Sequence, residues 1–417
     1  MKKYWIITYG CQLNKSDSER IAAAIEKNNY QKAENKETAD LVVFNACSVR
    51  QSAVDRLYGQ INQLKKSKKN PQIFLTGCVT LNDKKKLKSK VDLIFDIKDL
   101  TKVFNFSETD DYLHINPKYS SPFRAFIPIS VGCNNFCSYC VVPYVRGKEI
   151  CRPFSDILEE AKSLIKAGYK EIILLGQNVN SYQGRSKNQK SKNADFVDLL
   201  KTIENIPGDF WLSFISNHPK DLSSELIELM AKSKKICPYL HLPVQSGDNE
   251  MLKLMNRNYT IEEYKEKIAL IRQKIKNITI STDIIVGLPS ETKKQFDHTR
   301  RLMKELKFDM AYIAQYSPRP FTALAKLDDN VPPSLKAQRE KILFKILKET
   351  ALINNKKYIN QIMDTLIEER KFDYLFGHSK NQKHVRVLYR DKNDLIGQFV
   401  KVKIKKAAPW GLEGEII

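Results

Sequence analysis

The chain has 417 residues, 42% of them apolar, and carries 70 Lys and Arg against 48 Asp and Glu. This length exceeds what one hydrophobic core usually supports, so a single small domain is excluded and two or three cores are expected. The net charge of +22 at pH 7 predicts a polyanionic partner, with nucleic acid as the natural one. Biased codon usage would explain lysine over arginine, but it does not explain the excess of basic over acidic residues.

The beginning of the chain, "MKKYWIITYG", has too short an apolar run for an export signal. No run of about 18 apolar residues occurs elsewhere, so we expect no membrane span and a cytoplasmic protein. Eight cysteines in a reducing compartment indicate ligands, nucleophiles or core thiols rather than disulfides.

The first hundred residues alternate short apolar runs with amphipathic charged segments, which predicts a small parallel sheet with helical crossovers. Cys11, Cys47 and Cys78 each stand at the end of an apolar run, in "TYGC", "FNAC" and "LTGC". Parallel strands all point the same way, so we expect these three thiols at one edge of the sheet.

From about residue 125 the β-α rhythm returns with six further candidate strands and long amphipathic helices between them. Six units predict an open or partial barrel whose working face is the C-terminal edge of its strands. A polar insert, "GRSKNQKSKNAD", is predicted to be a mobile surface loop. The candidate strands are "AFIPISV", "EIILLG", "FWLSFI", "YLHLPV", "ITISTDIIVG" and "MAYIAQY".

A long basic helix is predicted after the proline-rich connection, followed by a tail of short antiparallel strands that forms a small β-barrel. Lys401, Lys403 and Lys405 alternate with apolar residues in "FVKVKIKK", so one face of that strand is apolar and the other cationic. A solvated edge strand has a similar pattern, but beside the overall charge we interpret the three lysines as RNA contacts. The four predicted strands lie in "DTLIEER", "HVRVLYR", "IGQFVKVKIKKA" and "GLEGEII".

The segment "SVGCNNFCSYC" places Cys133, Cys137 and Cys140 in a CxxxCxxC pattern at the end of the first barrel strand. Structural zinc uses four ligands, and no second cysteine pair lies nearby. A four-iron four-sulfur cluster held by three thiolates fits, because its fourth iron stays open to an exogenous ligand. With Tyr139 before the last cysteine, the pattern is that of radical S-adenosylmethionine enzymes. Beside such a cluster, the three N-terminal thiols are interpreted as holding a second cluster.

The order of motifs along nearly the whole chain resembles the methylthiotransferase family, which ends in a TRAM domain. The resemblance implies a mixed α/β protein with three parts: an N-terminal parallel-sheet domain over residues 1–118, a radical-SAM partial (βα)6 barrel over 119–352, and a TRAM-like β-barrel over 353–417. The motifs are "TYGCQLN", "NACSVR", "TGC", "GCNNFCSYCVVPYVRG", "LLGQNVNSY", "HLPVQSG", "TDIIVGLPSET" and "YSPRP".

The resemblance implies two 4Fe-4S clusters and two uses of S-adenosylmethionine, one as methyl donor and one as radical source. Cys11, Cys47 and Cys78 match the auxiliary-cluster ligands, and Cys133, Cys137 and Cys140 match the radical-cluster ligands. Beyond these ligands no catalytic residue is predicted. Four residues on barrel-edge motifs are expected to line the cofactor or substrate pocket: Tyr139, Gln177, Asn178 and Gln245.

The finer motifs "GQNVNSY", "SNHP" and "LPVQSG" resemble the branch that modifies C2 of isopentenylated adenosine beside the tRNA anticodon. Alternatives with the same chemistry are threonylcarbamoyladenosine of tRNA and an aspartate of a ribosomal protein. An iron–sulfur RNA-binding or redox-sensing protein is the non-enzymatic alternative. Expected partners are tRNA, a low-potential electron donor such as flavodoxin or ferredoxin, and a sulfur or cluster donor, with the enzyme itself a monomer.

Several conspicuous residues fall outside these assignments. Cys151 is interpreted as a packing or surface thiol rather than a seventh ligand, and Cys237 as a core residue. His218 and His241, at strand ends, are interpreted as hydrogen-bonded polar groups, with a role in substrate contacts as the alternative. Arg146 and Arg152 are predicted to meet phosphate or carboxylate, or to form surface salt bridges: "VRGKEICRP".

Overall fold

The computed structural model describes residues 1–48, 51–106, 109, 111–184, 194–391 and 393–417. Two compact units divide the chain. The first contains residues 1–121, 126–150 and 319–325, and the second contains residues 122–125, 151–318 and 326–417. Most of the insert predicted to be a mobile loop, residues 185–193, lies outside the described residues.

The first unit contains a five-stranded parallel sheet with the order β2-β1-β3-β4-β5, as the N-terminal rhythm predicts. Strand β3 is buried over nearly its whole length, which is the pattern of a strand covered on both faces. The elements are β1 (Lys2–Thr8), α1 (Gln12–Lys27), β2 (Tyr30–Lys32), β3 (Leu41–Cys47), α2 (Gln51–Lys65), β4 (Gln72–Cys78), α3 (Leu81–Leu87), β5 (Leu93–Ile94) and α4 (Leu100–Val103).

Helices pack on both faces of this sheet and form two apolar cores. One core joins Ile21 and Ile25 of α1 to Val43 of β3. The other joins Leu57 and Ile61 of α2 to the opposite face of the same strands. Burial of such side chains contributes about 1.5 to 3 kcal/mol each, so the two cores fix the edge of the sheet where the cysteines stand.

The barrel strands predicted from sequence are all present. In the second unit β9 pairs in parallel with β12, and β14 pairs in parallel with β13 and β15. A parallel bridge between Leu212 and Ile236 connects β12 to the segment before β13. The elements of residues 124–315, of which β7 and α5 lie in the first unit, are β6 (Arg124–Pro128), β7 (Ser130–Val131), α5 (Val142–Arg146), β8 (Ile150–Cys151), α6 (Phe154–Lys166), β9 (Glu171–Leu175), β10 (Gln183–Gly184), β11 (Ala194–Asp195), α7 (Phe196–Glu204), β12 (Trp211–Phe214), α8 (Ser224–Lys232), β13 (Tyr239–His241), α9 (Asn249–Leu254), α10 (Ile261–Lys274), β14 (Thr279–Val286), α11 (Lys293–Leu306) and β15 (Met310–Gln315).

The tail forms a closed five-stranded barrel with the order β16-β17-β18-β20-β19, after the long helix α12. The sequence predicts four of these strands but not β17, whose apolar beginning is followed by Gly377, His378 and Ser379. Strands β18 and β20 are parallel, not antiparallel as expected, because an odd number of strands cannot close with every pair antiparallel. The elements are α12 (Pro333–Lys356), β16 (Ile362–Lys371), β17 (Tyr374–Ser379), β18 (His384–Leu388), β19 (Phe399–Ala408) and β20 (Gly411–Ile416).

A partly buried charge network joins this barrel to the rest of the second unit. Arg124 Nε donates to Glu171 at 2.5 Å, and the guanidinium also pairs with Glu368. His378 meets Glu368 through Nδ1 at 2.5 Å and Glu171 through Nε2 at 3.2 Å. Burial alone would lower the pKa of His378, but the two carboxylates raise it to about 9. His378 is therefore a cation at neutral pH.

We expect His378→Gln to reduce stability most below pH 6.5. The folded-state pKa of about 9 exceeds the ordinary value of 6.5, so the stabilisation is complete below 6.5 and is lost as pH rises through 9. Its size is roughly 3 kcal/mol. Thermal unfolding of the wild type and the variant, measured from pH 6 to 10, should show a gap that closes at the alkaline end. A gap of constant size would contradict this account.

Candidate functional site

The three N-terminal cysteines meet at one edge of the sheet in the first unit. Cys47 ends β3 and Cys78 ends β4, and the two are direct partners in the parallel ladder. Cys11 follows β1 and forms the N-cap of α1. Strands β1, β3 and β4 are adjacent in the sheet. The three cysteines therefore lie at one edge of the sheet, where the sequence predicts them.

Buried amide side chains hold the Cys11 turn. The Cys11 backbone N–H donates to Asn14 Oδ1 at 3.3 Å, and Asn14 Nδ2 donates to Asn45 Oδ1 at 2.9 Å. Asn45 returns a hydrogen bond from Nδ2 to the Asn14 carbonyl at 2.7 Å. A Cβ on Gly10 would lie 2.3 Å from Asn14 Oδ1, so the turn requires glycine there. These hydrogen bonds join Asn14 of the motif "TYGCQLN" to Asn45 of the motif "NAC".

The environment of Cys78 favours its thiolate. The Cys47 side chain hydrogen-bonds to Cys78, and this contact together with the Arg146 guanidinium lowers the pKa of the Cys78 thiol to about 6, although burial opposes the shift. Arg146 Nε donates to Cys78 Sγ at 2.8 Å. A thiolate is the form of cysteine that ligates metals. Cys78 is therefore prepared to ligate a soft cation.

The second cysteine group lies on the loop between β7 and α5, in the same compact unit. The Cys133 N–H donates to the Gly147 carbonyl at 3.2 Å, and the Cys140 N–H donates to the Cys137 carbonyl at 2.9 Å. The Ser138 carbonyl accepts from Leu324 N–H at 2.8 Å. The loop is thus fixed by backbone contacts, while all three thiols remain half-buried.

Gly132 lets the chain turn into this loop. Its φ is +87°, and an added Cβ would lie 2.2 Å from the Lys148 carbonyl oxygen.

We expect Gly132→Ala to cost at least about 2 kcal/mol of folding stability and to reduce iron binding at the following cysteines. Gly59→Ala is a matched control, because nothing lies within 4 Å of its added Cβ on the exposed face of α2. Denaturant unfolding and iron content check both variants, and equal behaviour would contradict the expectation.

Both groups fit iron–sulfur clusters by the chemistry of their donors. Each offers three thiols, with no fourth cysteine assigned to either group among the residues that the structure describes, which suits a four-iron cluster with one open iron. Across the described ranges, no three His, Cys, Asp or Glu side chains are close enough to hold a single metal ion. A four-iron cluster is larger than a single ion and separates its thiolates more widely.

The remaining predicted pocket residues lie in different units. Tyr139 is half-buried in the first unit. Asn178 follows β9 in the second unit, where Nδ2 donates to Asp221 Oδ2 at 2.7 Å. Asn178 Oδ1 and Gln177 Oε1 are buried and have no hydrogen-bond partner among the described residues, which is typical of a site that receives a ligand. Gln245 has a φ of +70° and pairs through its backbone with β14.

The two strand-end histidines and the two remaining cysteines contact other residues of the second unit. His218 Nδ1 accepts from the Lys220 N–H at 3.2 Å, and burial lowers its pKa to about 2. His241 Nδ1 lies 2.9 Å from Ser281 Oγ. Cys237 is buried in a core cluster with Trp211 and Leu366. Cys151, in the second unit, accepts from the Gln183 N–H at 3.5 Å.

The two arginines both form ion pairs, but buried ones rather than the surface pairs considered from sequence. Arg146 binds Asp17 at 2.7 Å, and Arg152 binds Glu160 at 2.6 Å. Each arginine side chain is at most 5% exposed. The contact between Arg146 and Cys78 was not foreseen from the sequence, where the only signal was the position of Arg146 just after the cysteine motif.

Strand β19 has the predicted alternation of apolar side chains and lysines. Val402 and Ile404 are fully buried in the barrel, whereas Lys401 and Lys405 are exposed and Lys403 is partly exposed. Lys405 pairs with Glu415 at 2.6 Å. Lys401 and Lys403 form no ion pair with any residue that the structure describes. Two uncompensated cations therefore stand on this outer face.

Comparison with known proteins defines the class. The radical SAM superfamily matches residues 127–303, the uncharacterized protein family UPF0004 matches residues 3–96, and the TRAM domain matches residues 356–417. The fold resembles the radical S-adenosylmethionine methyltransferase TsrM from Kitasatospora setae, with a TM-score of 0.51, 13% identity, and coverage of 78% of this chain and 77% of that one. Together with the two cysteine groups, these matches define a radical S-adenosylmethionine protein with a TRAM domain at its tail.

Curated relatives give the family. A tRNA-2-methylthio-N(6)-dimethylallyladenosine synthase of Clostridium botulinum (strain Langeland) is 40% identical over 442 aligned positions, covering 100% of this chain and 97% of the relative. One of Carboxydothermus hydrogenoformans is 38% identical, covering 100% and 99%. The chain belongs to the family of the tRNA-2-methylthio-N(6)-dimethylallyladenosine synthases.

Among the described residues, no helix combines the length and apolar character needed to cross a bilayer.

Proposed function

We propose that this protein is a tRNA methylthiotransferase that places a methylthio group on C2 of N(6)-isopentenyladenosine at position 37, next to the anticodon. Full-length similarity to synthases named for this product supports the substrate. The observation that carries the chemistry is the presence of two separate groups of three thiols in one compact unit. Adenine C2–H is neither acidic nor readily attacked, so it requires radical activation beside a source of sulfur.

We propose that Cys133, Cys137 and Cys140 bind the radical cluster and that Cys11, Cys47 and Cys78 bind the auxiliary cluster. When bound, the two clusters and S-adenosylmethionine supply one-electron cleavage, a methyl group and a transferable sulfur. The protein's own contribution is to hold the thiols on a rigid strand edge and a pinned loop. Residues proposed to line the S-adenosylmethionine or adenosine pocket are Tyr139, Gln177, Asn178 and Gln245.

The proposed tRNA contact includes the outer face of β19. Lys401, Lys403 and Lys405 present ammonium groups at alternating positions, and phosphate contacts of this kind position RNA without reading its sequence. The net charge of +22 adds a long-range attraction for tRNA.

Further parts of the proposal concern organisation and partners. We place the domain boundaries at 118/119 and 352/353 and the site of action in the cytoplasm, where tRNA is modified. The enzyme works as a monomer with a low-potential electron donor such as flavodoxin or ferredoxin. A separate sulfur or cluster donor renews the auxiliary site.

The test is nucleoside mass spectrometry on tRNA from a methylthiolation-deficient strain that expresses this protein. The expected result is the appearance of 2-methylthio-isopentenyladenosine with matching loss of isopentenyladenosine. A Cys133→Ala chain is the negative control. Absence of the product from cells containing folded, cluster-loaded protein would reject this substrate. The threonylcarbamoyl nucleoside and then ribosomal protein would be examined next.

A further inference from the structure

Arg146 connects the two cysteine groups. It is the last residue of α5, the short helix that begins two residues after Cys140. Its Nε donates to Cys78 Sγ at 2.8 Å, and its Nη2 donates to Asp17 Oδ2 at 2.7 Å. The Arg146 and Asp17 side chains are 3% and 0% exposed. A permanent cation is thus buried against a proposed ligand of the auxiliary cluster.

Not every N–H donor of the Arg146 guanidinium has an acceptor among the described residues. A guanidinium stays protonated, and burying it is costly unless its N–H groups find acceptors. Asp17 supplies one negative charge and Cys78 supplies a sulfur acceptor. Arg146 Nη1 is buried and has no hydrogen-bond partner among the described residues. A buried donor without an acceptor indicates a missing partner, and an anionic iron–sulfur cluster held at Cys78 is a partner of the right charge.

We propose that Arg146 is a positioning residue that holds the Cys78 sulfur in its ligand orientation and raises the reduction potential of the auxiliary cluster. A hydrogen bond and a positive charge at a ligand sulfur favour the reduced, more negative cluster. Asp17 holds the guanidinium in place and offsets part of this effect. The inference rests on the auxiliary-cluster ligands assigned under the proposed function.

The test isolates the auxiliary cluster in the full chain by replacing Cys133, Cys137 and Cys140 with alanine. Redox titration followed by electron paramagnetic resonance then compares substitutions in this background. Arg146→Gln removes the cation and should shift the midpoint potential to more negative values. Asp17→Asn removes the opposing carboxylate and should shift it to more positive values. General destabilisation does not predict shifts of opposite sign.

Two further variants control for folding. Arg146→Lys keeps the charge but not the forked donor, so its potential should lie between those of the parent and Arg146→Gln. Arg339→Gln breaks another buried pair, with Glu291 at 2.5 Å, and should lower the unfolding temperature without moving the potential. If Arg146→Gln loses its iron while Arg339→Gln keeps it, at similar unfolding temperatures, the positioning role is supported.

Shifts of the same sign in Arg146→Gln and Asp17→Asn, or no shift in either, overturn the proposal. Equal loss of iron from Arg146→Gln and Arg339→Gln overturns it as well. The expected potentials without methylthiolated nucleoside in the cellular assay would reject the proposed function and leave this inference standing. Failure of the parent chain to bind an auxiliary cluster would reject both.

Discussion

Cys47→Ala should abolish methylthio transfer while S-adenosylmethionine is still cleaved to 5′-deoxyadenosine. Cys47 belongs to the sheet-edge group, whereas the proposed radical cluster lies on the separate loop that carries Cys133, Cys137 and Cys140. Losing one of only three protein ligands should reduce sulfur insertion more than about 100-fold, the upper range for loss of an outer-shell partner. Product nucleoside and 5′-deoxyadenosine, quantified from the same anaerobic reaction, provide the measurement.

Two matched cysteine variants complete this experiment. Cys137→Ala should remove both products, because the radical cluster serves every later step. Cys237→Ala should remove neither, since that thiol is buried in an apolar core of the other unit. Equal loss of cleavage and transfer in Cys47→Ala would mean that the two cysteine groups do not work as separate sites.

The double substitution Lys401→Ala with Lys403→Ala should weaken tRNA binding about tenfold near physiological salt. Both ammonium groups lack an ion-pair partner among the described residues, so both are available to phosphate. Each lost phosphate contact should also reduce the slope of log affinity against log salt by nearly one. Filter binding or fluorescence anisotropy across a salt series measures both quantities.

Lys405→Ala is the internal control for this pair. Its ammonium group lies 2.6 Å from Glu415 and is already neutralised in part. We therefore expect a smaller loss of affinity and a smaller change of slope than for Lys401→Ala alone. Equal effects of the three lysines would mean that Glu415 does not neutralise Lys405. A salt slope that does not change in the double variant would remove this strand from the tRNA interface.

The elements with strong periodicity were predictable from sequence. The apolar run of β3 and the alternating pattern of β19 each allow one arrangement that buries the apolar side chains. The strand-end positions of Cys11, Cys47 and Cys78 follow from the same rhythm. Strand β17 was missed because Gly377 and His378 break its apolar pattern, although both are buried.

Contacts between distant side chains were not predictable. In the sequence, nothing distinguishes Asn14 and Asn45 from other polar residues. Only the fold shows that each accepts a hydrogen bond from the side-chain amide of the other. Asp17 gives no sign in the sequence that it binds Arg146, since 129 positions separate them. Similarly, the position of His378 between two carboxylates depends on how the tail barrel packs in the second unit. Local sequence patterns determine helices and strands, but networks of charged side chains depend on tertiary packing.

The closed, odd-stranded tail barrel also bears on how this protein behaves in concentrated RNA. A polyanion neutralises the positive charge that otherwise keeps basic chains apart, and unpaired strand edges would then be free to join. Over the part of the barrel that the structure describes, closure through the parallel pair of β18 and β20 leaves no such edge. A barrel that binds RNA as proposed can therefore lose its electrostatic repulsion on binding without offering its backbone as a template for aggregation.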